Sequence, residues 1–453
     1  MINPLSTTTS GLQSGRAPGA IPLLGHTLAL LRDPLGWIAS LAQHGDLVEV
    51  QFGRARMYVP CHPELMHEML LDNRTFDKGG PVFETMRDVF GNTVVTSTHA
   101  DHRGQRRRLQ PSFRHQHLAN YAPVMTATIE EIIGGWTNAQ SIEVGPAMYA
   151  ISLKTTLRAL FGADDVPGSV EQLRRAIAAV VRDVYVRYAS PTPLIKRLPI
   201  PANRRCEAAM AVLTAAIDQL LAQHRASRPG HENVVSALMA SGMSEKELRD
   251  ECIALLVAGA EATPAALAWA VTLLALHPDA ERRLHAEARA VLGDRIAGGD
   301  DLPRLTFTRQ VVKETLRLYP PAWFSTRTTT TDATLAGTAI PRGSTVVFSP
   351  YVVQHHPGVY EHPDVFDPDR WNPENERSLP RGAFAPFGAG PNKCIGYEFA
   401  AMLIELTLAS IIARWRLRPE PEADLRPSRS AILHPRNLLV RLQAQSNTDG
   451  PAR

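Results

Sequence analysis

The stretch CIALLVAGAEATPAALAWAVTLLAL, residues 252–276, constrains the fold more than any other part of the chain. About 20 apolar residues suffice to cross a bilayer. This run carries one charge, Glu261, and one helix breaker, Pro264, both near its middle. A carboxylate at mid-membrane depth is costly, and the flank beyond Leu276 reads HPDAE rather than a basic cluster. The run therefore predicts a helix through the core of a large protein. Just upstream, Ser244 and Glu247 have the spacing of a capping box, so the helix is expected to begin there. It should then continue for about thirty residues, long for a globular helix.

Helical periodicity dominates from about residue 100 to residue 320, as in VEQLRRAIAAVVRDVYVRY and NRRCEAAMAVLTAAIDQLLAQHRA. Strand-like alternation is confined to DLVEVQFGRARMYVP, which reads as a hairpin, and TTTTDATLAGTAIPRGSTVVFSPYVV. The fold class expected is mainly α with small β-sheets. Residues 355–387 are rich in Pro, Gly and Asp with little periodicity, and so long an irregular stretch usually carries function. No repeat or interdomain linker stands out, so 1–453 is expected to be one domain, with about 1–17 and 444–453 flexible. The net charge of +3 is too small for the length to suggest nucleic-acid binding. Cys61, Cys206, Cys252 and Cys394 form no CxxC pair, which fits a reducing compartment, the cytoplasm by default. The N-terminus lacks the basic start and apolar core of a signal peptide.

The strongest local chemistry lies in FGAGPNKCIGYEFA, residues 387–400. Gly388, Gly390 and Gly396 bracket Cys394 in a loop ahead of a helix, and they permit close approach of a flat ligand to the backbone. The helix dipole favours thiolate there, leaving a nucleophile, a metal ligand or an inert thiol as possibilities. The spacing matches neither a dinucleotide-binding nor a phosphate-binding glycine loop. Elsewhere, Glu314 and Arg317 lie three apart on VVKETLRLYPP, and HADHRGQRRRLQPSF places His102 and Arg106 four apart in a dense basic run.

Taken together, these segments resemble the cytochrome P450 family across nearly the whole chain. Phe387-Gly388-x-Gly390-x-x-x-Cys394-x-Gly396 is similar to its haem-binding loop. The resemblance implies haem b (iron protoporphyrin IX), with the Cys394 thiolate as axial iron ligand. It identifies Glu314 and Arg317 as the ExxR pair and Arg370 in FDPDRW as the third member of a supporting triad. His102, Arg106 and Arg327 match residues that bind the haem propionates, a task to which arginine's fork is suited. The remaining arginines of the basic run (Arg103, Arg107 and Arg108) would present a basic surface to an acidic electron donor.

By the same resemblance AGAEATPAAL is the distal oxygen-binding segment. The small pair Ala258-Gly259 leaves room, and Glu261 and Thr263 are the expected catalytic residues of proton delivery. Two positions depart from the pattern. Ala262 stands where the family has threonine, and Thr263 is one step, about 100°, further round the helix. Asn392 stands where His or Arg is usual, which puts a propionate contact there in doubt. A substrate hydroxyl or ordered water is the expected replacement for the lost threonine.

The resemblance implies a monooxygenase that draws electrons from a ferredoxin and an NAD(P)H-dependent ferredoxin reductase. It would cleave dioxygen and oxidise a hydrophobic small molecule, as a cytoplasmic monomer without a membrane span. Expected pocket residues are Phe83, Met86 and Phe90 within residues 80–94, the region around Tyr185, then Ala258, Trp323, Phe324 and Leu433. The layout, with PIPANRR at 199–205 and the lead-in IPLLGH, is similar to bacterial sesquiterpene hydroxylases of secondary metabolism. A polyketide or fatty acid is the competing substrate. A haem-thiolate isomerase or peroxygenase needing no electron donor, and a non-catalytic haem sensor, are the competing functions.

Overall fold

Helix starts along the chain are marked by capping side chains and prolines, and these set most of the architecture. The computed structural model describes residues 11–163, 169–189, 200–226, 233–428 and 430–444. Pro199 of PIPANRR and most of both expected flexible ends lie outside these residues. Within the lead-in, Ser14–Arg16 is a strand paired in parallel with Leu47, Val48 and Glu49.

The described chain forms two compact units. The first comprises residues up to 84, 323–365 and 378–393. It is built on a six-stranded sheet. The expected hairpin is its centre: Leu47–Phe52 runs antiparallel to Ala55–Pro60, from Leu47 opposite Pro60 to Phe52 opposite Ala55. Thr345–Phe348, Ser325–Thr329 and Phe76–Asp77 follow in the sheet. Leu65, Met66, Met69 and Leu70 of helix Pro63–Leu71 pack on its apolar face with Leu47, Phe76, Val346 and Phe348. The turn at AG joins strands Ala333–Leu335 and Thr338–Ile340, with Ala336 and Gly337 both at positive φ. SPYVV, expected to continue the β region, is instead the start of helix Pro350–Gln354. Ser349 caps it by accepting from the Val352 amide, and Pro350 occupies the first turn, where a missing N–H is harmless.

The second unit comprises residues 85–322, 366–377 and 394 onward. Helix Glu245–Leu276 spans 32 residues and begins at the expected capping box, with the Ser244 side chain accepting from Glu247 N–H and Glu247 reaching back. It packs on helices Val144–Phe161, Tyr397–Arg414 and Thr306–Leu318. This is the one described helix long and apolar enough to cross a membrane, and 78% of its most apolar stretch is buried inside the protein. That burial is the pattern of a core helix. A small antiparallel sheet not anticipated from the sequence joins Trp415–Pro419, Leu439–Ala444 and Ser141–Glu143.

Candidate functional site

The long helix has a single opening. From Glu251 to Ala275 every residue is buried except Ala258, which is exposed, and Gly259, Glu261 and Ala262, which are partly so. Ala258, Glu261 and Ala262 are spaced i, i+3, i+4 and share one face. Thr263, one step further round, is buried at 6% exposure, off that face. Pro264 lies just beyond, and its missing N–H leaves the carbonyl of Ala260 without its helical donor.

Glu261 is the only charged residue in this apolar run. The Tyr149 hydroxyl of helix Val144–Phe161 donates to its Oε1 at 3.0 Å. Burial pushes the Glu261 carboxyl up to about 7, against the pull of the Tyr149 hydrogen bond and the positive charge of Arg174. Burial and the neighbouring Glu261 charge likewise hold the Tyr149 phenol far above its ordinary range. Two further groups of the same helix meet this segment. Ser152 Oγ donates to the Gly259 carbonyl at 3.0 Å, and a Cβ at Gly259 would lie 3.2 Å from Thr156 Oγ1. Glycine at 259 is thus what lets the two helices approach.

Cys394 is exposed, whereas Cys61, Cys206 and Cys252 are buried. Burial pushes the thiols of Cys206 and Cys252 up to about 12, so neither is a thiolate at neutral pH. Cys394 stands three residues before helix Tyr397–Arg414, whose N-cap is Gly396. Upstream, Gly388 and Gly390 adopt φ of 70° and 65°. At Gly390 a Cβ would sit 2.4 Å from the Leu70 carbonyl oxygen, so no other residue fits. Phe387 is half-buried at the start of this loop. On helix His99–Leu109, His102 is buried and Arg106 half-buried, while Arg103, Arg107 and Arg108 are exposed. Arg106 loses basicity through burial and regains part of it from the charge of Cys394.

The ExxR pair is fully buried. Arg317 grips Glu314 through Nε and a terminal nitrogen, each at 2.8 Å. The same carboxylate accepts from the Asp367 amide at 3.0 Å and from Trp371 Nε1 at 2.9 Å, with Arg370 Nε 3.4 Å away. Glu314 therefore anchors residues 367–371 at three points. Trp371, not anticipated from the sequence, is one of them. Outside this knot, Arg283 pairs bidentately with Asp369 at 2.8 Å.

In the first unit, Arg327 on strand Ser325–Thr329 is buried at 6% exposure. Its guanidinium donates to the Thr326 carbonyl at 2.8 Å and lies 5.2 Å from the Phe83 ring centroid and 5.9 Å from that of Phe348. Burial lowers its pKa to about 10, and the charge of Asp77 opposes that only in part. No described carboxylate forms an ion pair with it. A buried cation left this way calls for an anion. The buried Asn392 Oδ1 likewise has no hydrogen-bond partner among the described residues. Within the first unit the unmet charge of Arg327 fits a carboxylate-bearing group; within the second, the accessible Cys394 thiol with Arg106 nearby fits a thiolate-ligated one.

The remaining expected residues sit as follows. Phe83, Met86 and Phe90 are all on helix Gly80–Phe90 at i, i+3, i+7, with both phenylalanines buried. The rings of Trp323 and Phe324 are tilted at 58° with centroids 4.3 Å apart, and the Trp323 carbonyl accepts from Ser349. Tyr185 is partly exposed on helix Val170–Ala189. Leu433 is buried at 1% and pinned from both sides, its N–H to the Pro321 carbonyl at 3.0 Å and its own carbonyl to Trp269 Nε1 at 3.1 Å.

Comparison with known proteins follows the same line. Residues 16–441 match the family model described as Cytochrome P450. Cyclooctatin synthase of Streptomyces melanosporofaciens is 44% identical over 91% of each chain. Pentalenene oxygenase of Streptomyces avermitilis is 38% identical over 96% of this chain and 98% of its own. Cyclooctat-9-en-7-ol 5-monooxygenase of S. melanosporofaciens is 39% identical over 91% of each. The crystal structure of the cytochrome P450DA heme domain superposes with a TM-score of 0.84, at 23% identity, over 96% of this chain and 98% of that one, a likeness of fold.

Proposed function

Since the chain belongs to the cytochrome P450 family, and is a haem-thiolate monooxygenase that needs oxygen and a redox partner, we propose that it hydroxylates a terpene in secondary metabolism. The relatives whose names specify a substrate act on pentalenene and on cyclooctat-9-en-7-ol, the second an alcohol by its name. The observation that carries the reading is the opening of the long helix. It presents the small residues Ala258 and Ala262 and one carboxyl, Glu261, in apolar surroundings, as an apolar substrate and a single proton donor require.

When bound, the haem supplies the activation of dioxygen at its iron. Cys394 would hold that iron as thiolate, and the three other cysteines are too deeply buried to compete. His102, Arg106 and Arg327 would hold the propionates, Arg327 thereby gaining the anion its buried charge calls for. Phe387, Gly388 and Gly396 would shape the loop around Cys394, and Glu314, Arg317 and Arg370 keep the adjoining irregular segment in place. Glu261 is near half-protonated at neutral pH. Its Oε1 is engaged by Tyr149, which leaves Oε2 to carry and release the proton. Thr263 is a reserve hydroxyl within the same turn, turned inward. Phe83, Met86, Phe90, Ala258, Trp323 and Phe324 are the proposed substrate contacts.

Electrons are proposed to come from a ferredoxin served by an NAD(P)H-dependent reductase, with Arg103, Arg107 and Arg108 offering cationic docking. Four free thiols suit a reducing, cytoplasmic setting, and a monomer is the proposed state. The test is a titration of the oxidised holoenzyme with terpene hydrocarbons, terpene alcohols and fatty acids, read from the haem absorption band. Turnover of each binder with ferredoxin, reductase and NADPH follows. Terpene binding and a product heavier by one oxygen are expected. Response to fatty acids alone, or a product of unchanged mass, would overturn the proposal.

A further inference from the structure

The helix seam at the opening is built from hydroxyls. Tyr149, Ser152 and Thr156 recur at i, i+3, i+7 on helix Val144–Phe161, and all three meet residues 259–261 of the long helix. Two helices that pack only for stability bring apolar side chains together. Thr156 Oγ1, by contrast, is buried with no hydrogen-bond partner among the described residues. The bond made by Tyr149 is also selective. Two other buried tyrosines donate to backbone carbonyls, Tyr121 to Ser112 and Tyr360 to Ala383, each at 3.1 Å. Tyr149 instead donates to the sole charged side chain of the apolar run.

From this geometry we infer that Tyr149 is a positioning residue for proton delivery: it fixes the Glu261 carboxyl through Oε1 and supplies beside it the hydroxyl that Ala262 lacks. The inference rests on the proposed role of Glu261. Two described groups act on that carboxyl electrostatically, Tyr149 and Arg174, the latter on helix Val170–Ala189 and itself forked onto Glu171 at 2.6 and 2.7 Å. Both pull against burial, so removing the phenol hydroxyl moves the Glu261 titration upward.

The experiment uses the holoenzyme. Infrared difference spectra across pH follow the C=O stretch of protonated Glu261, assigned by its loss in Glu261→Gln. In Tyr149→Phe the midpoint is expected to rise by about one pH unit, a tenfold change in proton affinity. The alkaline limb of product per NADPH should move with it, while spectral substrate affinity stays unchanged. Fluorotyrosine at position 149, a stronger donor of the same shape, should move the midpoint down. It decides the question if Tyr149→Phe does not fold. A midpoint unmoved by either replacement, beside a Glu261→Gln enzyme that no longer couples NADPH to product, overturns the role of Tyr149 alone. A Glu261→Gln enzyme that keeps full coupling overturns the proposed role of Glu261 and, with it, the part given to Tyr149.

Discussion

Two glutamates of the same unit, the fully buried Glu314 and the partly exposed Glu261, show how surroundings divide structural from chemical carboxylates. Glu314 accepts four hydrogen bonds, two from Arg317 and one each from Asp367 N–H and Trp371 Nε1, with Arg370 alongside. Glu261 accepts one, from a neutral phenol, and its pKa rises to about 7. A saturated carboxylate has no lone pair left for a proton and acts as a clamp. An under-supplied one sits between its two protonation states and is free to exchange. The first is bound to fail structurally when altered, the second chemically.

Breaking the clamp should have the largest effect. Glu314→Gln keeps the shape but strands Arg317 without its counter-charge in a fully buried site. The expected loss of stability is about 3–5 kcal/mol. Denaturant unfolding would measure it, with loss of haem retention as the parallel readout. A loss below about 1 kcal/mol would show that Glu314 is not the clamp its geometry makes it.

The opposite result is expected at Glu261. Glu261→Gln should leave the fold intact while product formation falls on the order of a hundredfold. Its stability effect has a sign that can be worked out. The folded pKa lies near 7, above the ordinary 4.5. Favourable stability is therefore full below pH 4.5 and is lost as pH rises through 7. Glutamine does not ionise, so the variant should match the parent near pH 4.5 and exceed it at pH 8, by on the order of 2 kcal/mol. Unfolding curves at the two pH values measure the difference. A variant less stable than the parent at pH 8 would place Glu261 among the structural carboxylates.

How far these two sites could be read from sequence differs for a physical reason. Glu314, Arg317 and Arg370 were legible because a motif fixes the first two on one helical turn and the third in a proline-marked segment. Trp371 was not, since an irregular segment has no period from which a side-chain direction follows. Glu261 was legible as the only charge in an apolar run. Tyr149 was not, because its partner lies 112 residues away and no local pattern reports such a pairing. The trace it left was the hydroxyls at 149, 152 and 156 on an otherwise apolar helix face. The main helices and the central hairpin followed from periodicity and capping. The small sheet of Trp415–Pro419, Leu439–Ala444 and Ser141–Glu143 escaped because its strands pair across long stretches of chain with no tight turn to announce them. SPYVV misled because β-branched residues filled what a serine cap and a proline had already made a helix.

The smallest expected effect sharpens the comparison most finely. Ala262 lies on the open face beside Glu261, so a threonine there adds a hydroxyl next to the under-supplied carboxyl without touching the clamp. Ala262→Thr should fold with its haem and keep turnover. Product per NADPH should stay level or rise by at most about threefold, under 1 kcal/mol of barrier. The gain should be greater with a hydrocarbon substrate than with an alcohol, whose own hydroxyl already serves. Peroxide release, measured beside product, reports the change directly. A collapse of turnover with haem still bound would mean that alanine at 262 is required for space rather than tolerated for want of a hydroxyl. The open face would then be a substrate wall, and its proton chemistry would rest on Glu261 and Tyr149 alone.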